Sequence, residues 1–432
     1  MLRSTNVHTT LLMVAMLLTA ACSQSTPRGG MGMGGASGAS PGSSAGAGAV
    51  GGPLGGADSV SWVGTWSAAP QLTEPGNLPP EPGLSQNTLR QLIYVSIGGS
   101  QLRARFSNEY GNAPLTMNGV QLALSTNGQI IDTATARPLA FAGMGAVTIP
   151  AGGTVTSDPL DFPLSPQAKV AVTIAFGSTP SNVTGHPGSR TASFIVPGDA
   201  VGAESLAASV RTEHWYYLTG LDVLAGSTSR AVVTLGDSIT DGRGSTTDGN
   251  NRWPDNLSRR LRENPATAEV AVLNQGIGGN AVLSGGLGPT AVSRFQRDVL
   301  NQSGVRWVIV LHGVNDIGSA ASEAVAQNLI GAYEQLIAAA RAQGVGVYGV
   351  PILPFAGSQY DTPTHEAARQ TVNAWIRAPG NFDAVIDLDA AVQDPANPAA
   401  LLPAYDSGDH LHLSPAGYQR MADAIDLALF SQ

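Results

Sequence analysis

Ala231-Val232-Val233-Thr234-Leu235-Gly236-Asp237-Ser238-Ile239-Thr240 decides the fold of this chain: an apolar, β-branched run that stops at a glycine, an aspartate and a serine. The run is strand-length and does not alternate, so both its faces are buried, as in the interior of a parallel sheet. The serine follows at once and stands at a strand-to-helix turn, where the amides of the new helix point at whatever binds. Asp-Ser is also an ordinary helix N-cap, so position alone makes Ser238 a candidate nucleophile and no more.

Towards the C-terminus the same texture repeats. Apolar runs at 231–235, 270–273, 307–311, 345–351 and 384–388 alternate with helical patterns at 254–263, 322–342 and 364–377. A last helix starts after Ser414, with serine as N-cap and Pro415 in the first turn. Such alternation predicts βαβ units, and hence an α/β fold with a three-layer, doubly wound, parallel five-stranded sheet over residues 229–432. In sheets of this kind ligands bind at the carboxyl ends of the strands.

Three further motifs fall at such ends. Asn274-Gln275-Gly276-Ile277-Gly278-Gly279-Asn280 lets backbone approach closely and can turn an amide inward. Its glycine spacing is not that of a dinucleotide fingerprint. Gly313-Val314-Asn315-Asp316 offers a side-chain amide that can donate to a developing oxyanion. Asp409-His410-Leu411-His412 sets a general base and an orienting carboxylate three residues apart on a loop. The two histidines also suit a metal, but only Asp406 and Asp409 lie close by and no second cluster completes a ligand set.

Upstream, 59–228 is a succession of short apolar or alternating runs, such as 91–97, 102–106 and 170–176, broken by Gly, Asn, Pro and Ser. This predicts an antiparallel β domain, a sandwich or jelly roll, with a hairpin turn at Gly98-Gly99-Ser100. No catalytic constellation stands out in it. His186, His214, Trp62 and Trp66 are compatible with a sugar platform, yet aromatic residues in such domains more often fill the core, which is the expectation here.

The first 58 residues read as processing and tether. Arg3, the apolar run 11–18 and the small residues Thr19-Ala20-Ala21 before Cys22 form an export signal over 1–22. The order Leu18 to Cys22 resembles a bacterial lipobox, with Thr19 where leucine is usual, and implies that Cys22 is lipidated. Residues 23–58, rich in Gly, Ser, Ala and Pro, lack the apolar surface to offset ordering and read as a disordered tether. The expected location is the cell envelope, held at a membrane by lipid, with plain secretion as the alternative. The formal charge of −9 disfavours nucleic acid and anionic membrane surfaces as partners.

Taken together and in order, the four motifs resemble the SGNH, or GDSL, hydrolase superfamily over 229–432. The resemblance implies an esterase with Ser238 as nucleophile, His412 as base and Asp409 orienting it. It also implies an oxyanion hole made of the Ser238 N–H, the Gly279 N–H, with Gly278 as fallback, and the Asn315 side chain. The β region that begins at Trp62-Val63-Gly64-Thr65-Trp66 is similar to that of a xylanase-associated arylesterase, which directs the substrate expectation to short acyl or acetyl groups on carbohydrate or aryl esters. No cofactor or metal is implied. The rival readings are a lipase or lysophospholipase acting on long-chain lipid esters and a non-catalytic surface binding protein on the same scaffold. On the esterase reading, His410 and His312 are supporting or structural residues, and loops 242–252 and 283–289 shape the pocket.

Overall fold

The computed structural model describes residues 60–431, so the segments expected to be an export signal and a tether, with Cys22 between them, lie outside the described residues. The strand Arg230–Gly236 is the axis of a parallel sheet. Ala231, Val232, Val233 and Leu235 are fully buried, as expected for a strand covered on both faces. The sheet runs in the order Val270–Gly276, Arg230–Gly236, Val305–Leu311, Gly346–Gly349, Ala384–Val385. The chain therefore leaves the first strand to one side and returns to pair on its other side, which creates a crevice at the carboxyl end of Arg230–Gly236. Helix Trp253–Glu263 packs with Pro415–Asp423, and Val325–Ala342 packs with Pro363–Arg377.

The last strand is shorter than its apolar run suggests. It covers only Ala384–Val385, because the Asp387 side chain accepts from the Ala390 N–H and starts a helix at Leu388.

Upstream, antiparallel sheets replace the parallel one. One places Val60–Ser67, Leu218–Gly226, Gly99–Ser107 and Leu160–Leu164 side by side. A second is centred on Asn87–Tyr94, Lys169–Phe176 and Leu115–Asn127. A small third sheet joins Trp215–Tyr216, Thr184–His186 and Gln71–Leu72. In the second sheet Leu89, Val170, Val172 and Ile174 face the main core, while Leu92, Ala123 and Ala171 form a small cluster of their own. Alternation thus survives although nearly every residue of Asn87–Tyr94 and Lys169–Phe176 is buried.

The hairpin expected at Gly98-Gly99-Ser100 does not form. Asn87–Tyr94 pairs with Lys169–Phe176 and Ser193–Pro197, whereas Gly99–Ser107 belongs to the other sheet. The glycines serve close approach instead of a tight turn. A Cβ on Gly98 would lie 2.2 Å from the Leu164 carbonyl oxygen, and one on Gly99 would lie 2.7 Å from that of Leu224.

One hydrophobic core runs through both halves, and the described residues 60–431 belong to a single compact unit. The Gly64 amide donates to the Ser303 carbonyl at 2.9 Å, and a Cβ on Gly64 would press on Leu273 of the parallel sheet. Buried Asp222 accepts from Ser303 Oγ at 2.8 Å and pairs with Arg103 at 3.1 Å.

Candidate active site

After Gly236 the chain makes one helical turn, Ser238–Asp241. The Asp237 side chain caps it by accepting from the Ile239 N–H at 3.0 Å, and Gly242 ends it in the left-handed region, at φ 98°. Two glycines let this turn sit against the sheet: a Cβ on Gly236 would lie 2.2 Å from Thr240 Oγ1, and one on Gly276 would lie 2.3 Å from the Asp241 nitrogen. Ser238 is thereby held at the floor of a cavity, 7% exposed, and not on the open surface.

His412 reaches the same point from the opposite end of the domain. Its Nε2 is 2.7 Å from Ser238 Oγ, and its Nδ1 is 2.7 Å from Asp409 Oδ2. Asp409 Oδ1 also accepts from the amides of His412 at 2.8 Å and Leu411 at 3.1 Å, so the carboxylate fixes both the ring and the backbone that carries it. Ser414 then caps the last helix by accepting from the Gly417 amide. Partial burial pushes the Asp409 carboxyl up, but the amide and imidazole of His412 outweigh it and hold it at about 2. An ionised Asp409 can only accept, so Nδ1 carries the proton and Nε2 presents its lone pair to the serine hydroxyl. Burial holds His412 below the ordinary imidazole value against the raising effect of Asp409, and the charges of Arg243 and Arg190 lower it further.

The three expected oxyanion donors line the same cavity. Among the described residues, neither the Ser238 nor the Gly279 amide donates to a protein acceptor, and Gly279 holds φ 68° at the cavity wall. Asn315 lines the cavity too, with Nδ2 donating to the Asn280 carbonyl at 2.8 Å and Oδ1 accepting from the Tyr360 hydroxyl at 2.9 Å. Because Tyr360 fixes the amide's orientation, the second N–H of Asn315 remains for a ligand. Asp316 ties the glycine-rich loop down by accepting from the amides of Val282 and Leu283, at 2.8 and 2.9 Å.

Behind these donors lies a buried network without a strong signal in the sequence. Arg294, fully buried, donates to the carbonyls of Gly236 and Gln275 and to Asn280 Oδ1. His312 Nδ1 accepts from the Gly313 amide, so its Nε2 donates to Asn280 Oδ1 at 3.0 Å. Burial, reinforced by Arg294, keeps His312 well below its ordinary value, hence neutral. Burial also pushes the Asp237 carboxyl up to about 7. His410, by contrast, is exposed and pairs with Asp406 at 2.6 Å, away from Ser238.

The cavity, about 470 Å³, is walled from both halves of the chain. Ser238, Asp241, Gly278, Gly279, Asn315, Gln359, Tyr360, Leu411 and His412 come from the parallel-sheet half, with Arg243 and Leu287 from the two loops expected to shape it. Gln71, Glu74, Asn77, Pro187, Gly188, Arg190 and His214 come from the antiparallel half. Trp66 and His186 are buried, as the core expectation has it, while His214 faces the cavity and Trp62 lies under the Arg103 guanidinium, 4.6 Å from it. His186 is a clasp between the halves: Nδ1 contacts the Ala69 carbonyl and Nε2 contacts Asp241 Oδ1, each at 2.9 Å.

Residues 234–420 match the model of the GDSL-like lipase/acylhydrolase family. The matched segment is a GDSL-like lipase/acylhydrolase domain, and the protein is a carboxylic ester hydrolase. No curated protein matches the chain. Among solved structures, a lipase/acylhydrolase from Enterococcus faecalis is 22% identical over 47% of this chain and 95% of its own, with a TM-score of 0.36. An acetyl xylan esterase from Geobacillus stearothermophilus is 22% identical over 45% and 92%, with a TM-score of 0.36. A family two carbohydrate esterase from Clostridium thermocellum, in complex with cellohexaose, is 14% identical but spans 78% of this chain and 90% of its own, with a TM-score of 0.34.

Proposed function

We propose that the protein is a serine esterase working through an acyl-enzyme, with Ser238 as nucleophile, and that it removes short acyl or acetyl groups from carbohydrate or aryl esters. The observation that carries this is the unbroken chain of contacts from Ser238 Oγ through His412 to Asp409, with both links at 2.7 Å. His412 Nε2 takes the serine proton as Oγ attacks the ester carbonyl, and the carbonyl oxygen, now negative, is received by the amides of Ser238 and Gly279 and by Asn315 Nδ2. On collapse, the C–O bond to the alcohol breaks and His412 returns the proton to the leaving oxygen. Water then repeats the sequence on the acyl-serine and releases the acid.

The composition of the cavity wall supports a short acyl group on a polar alcohol. Leu287 and Leu411 are the large aliphatic side chains in a wall otherwise dominated by Arg, Glu, Gln, Asn, His and Tyr. A long acyl chain draws about 0.8 kcal/mol from each buried methylene, and such a wall offers little surface for that. On this reading the antiparallel sheets are a sandwich domain, 59–228, joined to a three-layer catalytic domain, 229–432. A tether, 23–58, links both to an acylated Cys22 at the cell envelope.

The test is an aryl-ester chain-length series, run beside acetate release from acetylated xylan, with the wild-type protein and Ser238→Ala. Activity confined to short acyl groups and the polymer, falling by about 10³-fold or more in the variant, is expected. A maximum at long chains would replace the carbohydrate reading with the lipase one, and equal rates in both proteins would remove Ser238 from the mechanism. Mass analysis of the mature N-terminus checks the anchor: an unmodified terminus beyond Cys22 would contradict it.

A further inference from the structure

We propose that the antiparallel half supplies a subsite for the alcohol portion of the ester, in which Arg190 donates to, and Glu74 accepts from, free hydroxyls of a neutral polyol. This rests on the carbohydrate reading above and assigns its recognition to two residues outside the catalytic motifs.

Arg190 stands on the loop that follows the small strand Thr184–His186, at φ 52°, a left-handed conformation that a non-glycine residue adopts at a cost. Its surroundings hold it there. Ser189 Oγ donates to the Thr191 carbonyl at 2.8 Å, the Asp248 amide donates to the Arg190 carbonyl at 2.9 Å, and Gly188 leaves no room for a Cβ beside the Asp241 carboxylate. The strained loop carries the guanidinium to the cavity that holds Ser238 and His412. There its donors are largely unspent. Nε is buried without a partner among the described residues, and Nη2 is 3.9 Å from Asp241 Oδ2, beyond hydrogen-bonding reach.

Glu74 offers the complementary function. Its Oε1 accepts from Gln71 Nε2 and its Oε2 from Asn77 Nδ2, so the carboxylate is held in place with lone pairs to spare. Both groups line the same cavity. The charge balance of the wall favours a neutral ligand over an anionic one. Two arginines, Arg190 and Arg243, line it together with two carboxylates, Glu74 and Asp241, so an anion gains no net attraction. A fixed donor fork and a fixed acceptor suit hydroxyl groups, each of which can serve both.

The experiment compares kcat/KM for an acetylated xylooligosaccharide with that for 4-nitrophenyl acetate, whose alcohol carries no free hydroxyl. The proteins are the wild-type chain, Arg190→Gly, Arg190→Lys and Glu74→Ala. Glycine adopts φ 52° without strain, so Arg190→Gly keeps the loop while removing the guanidinium. The preference for the sugar ester is expected to fall by about tenfold in Arg190→Gly and in Glu74→Ala, chiefly through KM, and to recover in part in Arg190→Lys. A preference unaltered in the variants, or an equal loss on both substrates, would overturn the subsite while leaving the carbohydrate reading in place. A wild-type protein that does not cleave the sugar ester at all would overturn that reading, and the subsite with it.

Discussion

The two halves that wall the cavity are held in different ways. In the parallel-sheet half the candidate nucleophile and base are each fixed by bonds close to them in sequence: Asp237 caps the turn of Ser238, and Asp409 binds the amide and ring of His412, while Asp316 pins the glycine-rich loop from beyond the strand Val305–Leu311. In the antiparallel half Glu74 and the Arg190 loop also have local supports, but the segments that carry them are docked at the cavity by contacts distant in sequence, above all the His186–Asp241 clasp. Ser238 and His412 are thus set chiefly by short-range geometry. The wall that meets the rest of the substrate can vary with the sheets that carry it.

Breaking the clasp tests this division with the largest expected effect in the antiparallel half. His186→Ala leaves the Asp241 carboxylate, only 1% exposed, without its hydrogen-bond partner. Removing one member of a buried pair costs about 3 kcal/mol, so denaturant unfolding should show a loss of that order. A change below about 0.5 kcal/mol would mean that the clasp holds nothing. A smaller effect probes the electrostatic coupling of the cavity walls to the base. His412 must be neutral to accept the serine proton, and its value is lowered, so activity should fall on the acid side with a midpoint below about 6.5. The positive charge of Arg243 disfavours the imidazolium, so Arg243→Gln should move that midpoint up by a few tenths of a pH unit and reduce activity near pH 6. A midpoint that stays in place at low ionic strength would show that solvent screens this exposed guanidinium.

The same contrast explains what could be read from residues alone. The parallel strands are apolar runs, and every candidate motif directly follows one or precedes a capped helix, so the clustering of Ser238, Asn315 and His412 at one cavity, with Asp409 on His412, was legible together with its setting. The last strand was over-extended because Asp387 turns an apolar run into a helix start. In the antiparallel half, burial on both faces blurs alternation, and Thr88, Arg90 and Gln91 are all buried within one strand. Strand partners such as Leu102 and Val223 are far apart in sequence, and no local pattern encodes which sheet a strand joins. Hence the glycines at 98 and 99 suggested a hairpin that does not exist. Arg190, Glu74 and His214 carried no motif, and only the tertiary pairing of Thr184–His186 with Trp215–Tyr216 and Gln71–Leu72 brings their segments to the cavity that holds Ser238. Arg294 was equally silent: a buried arginine is recognisable only by the carbonyls that converge on it.

The central proposal, that Ser238 is the nucleophile that carries the acyl group, is tested most directly by trapping it. The wild-type protein would be exposed briefly to a fluorophosphonate, and the modified peptide located by mass spectrometry while residual esterase activity is followed. The structure predicts one adduct, on Ser238, formed in step with the loss of activity, because His412 Nε2 stands 2.7 Å from its hydroxyl oxygen. Loss of activity with the adduct on another residue, or full activity with Ser238 modified, would contradict it.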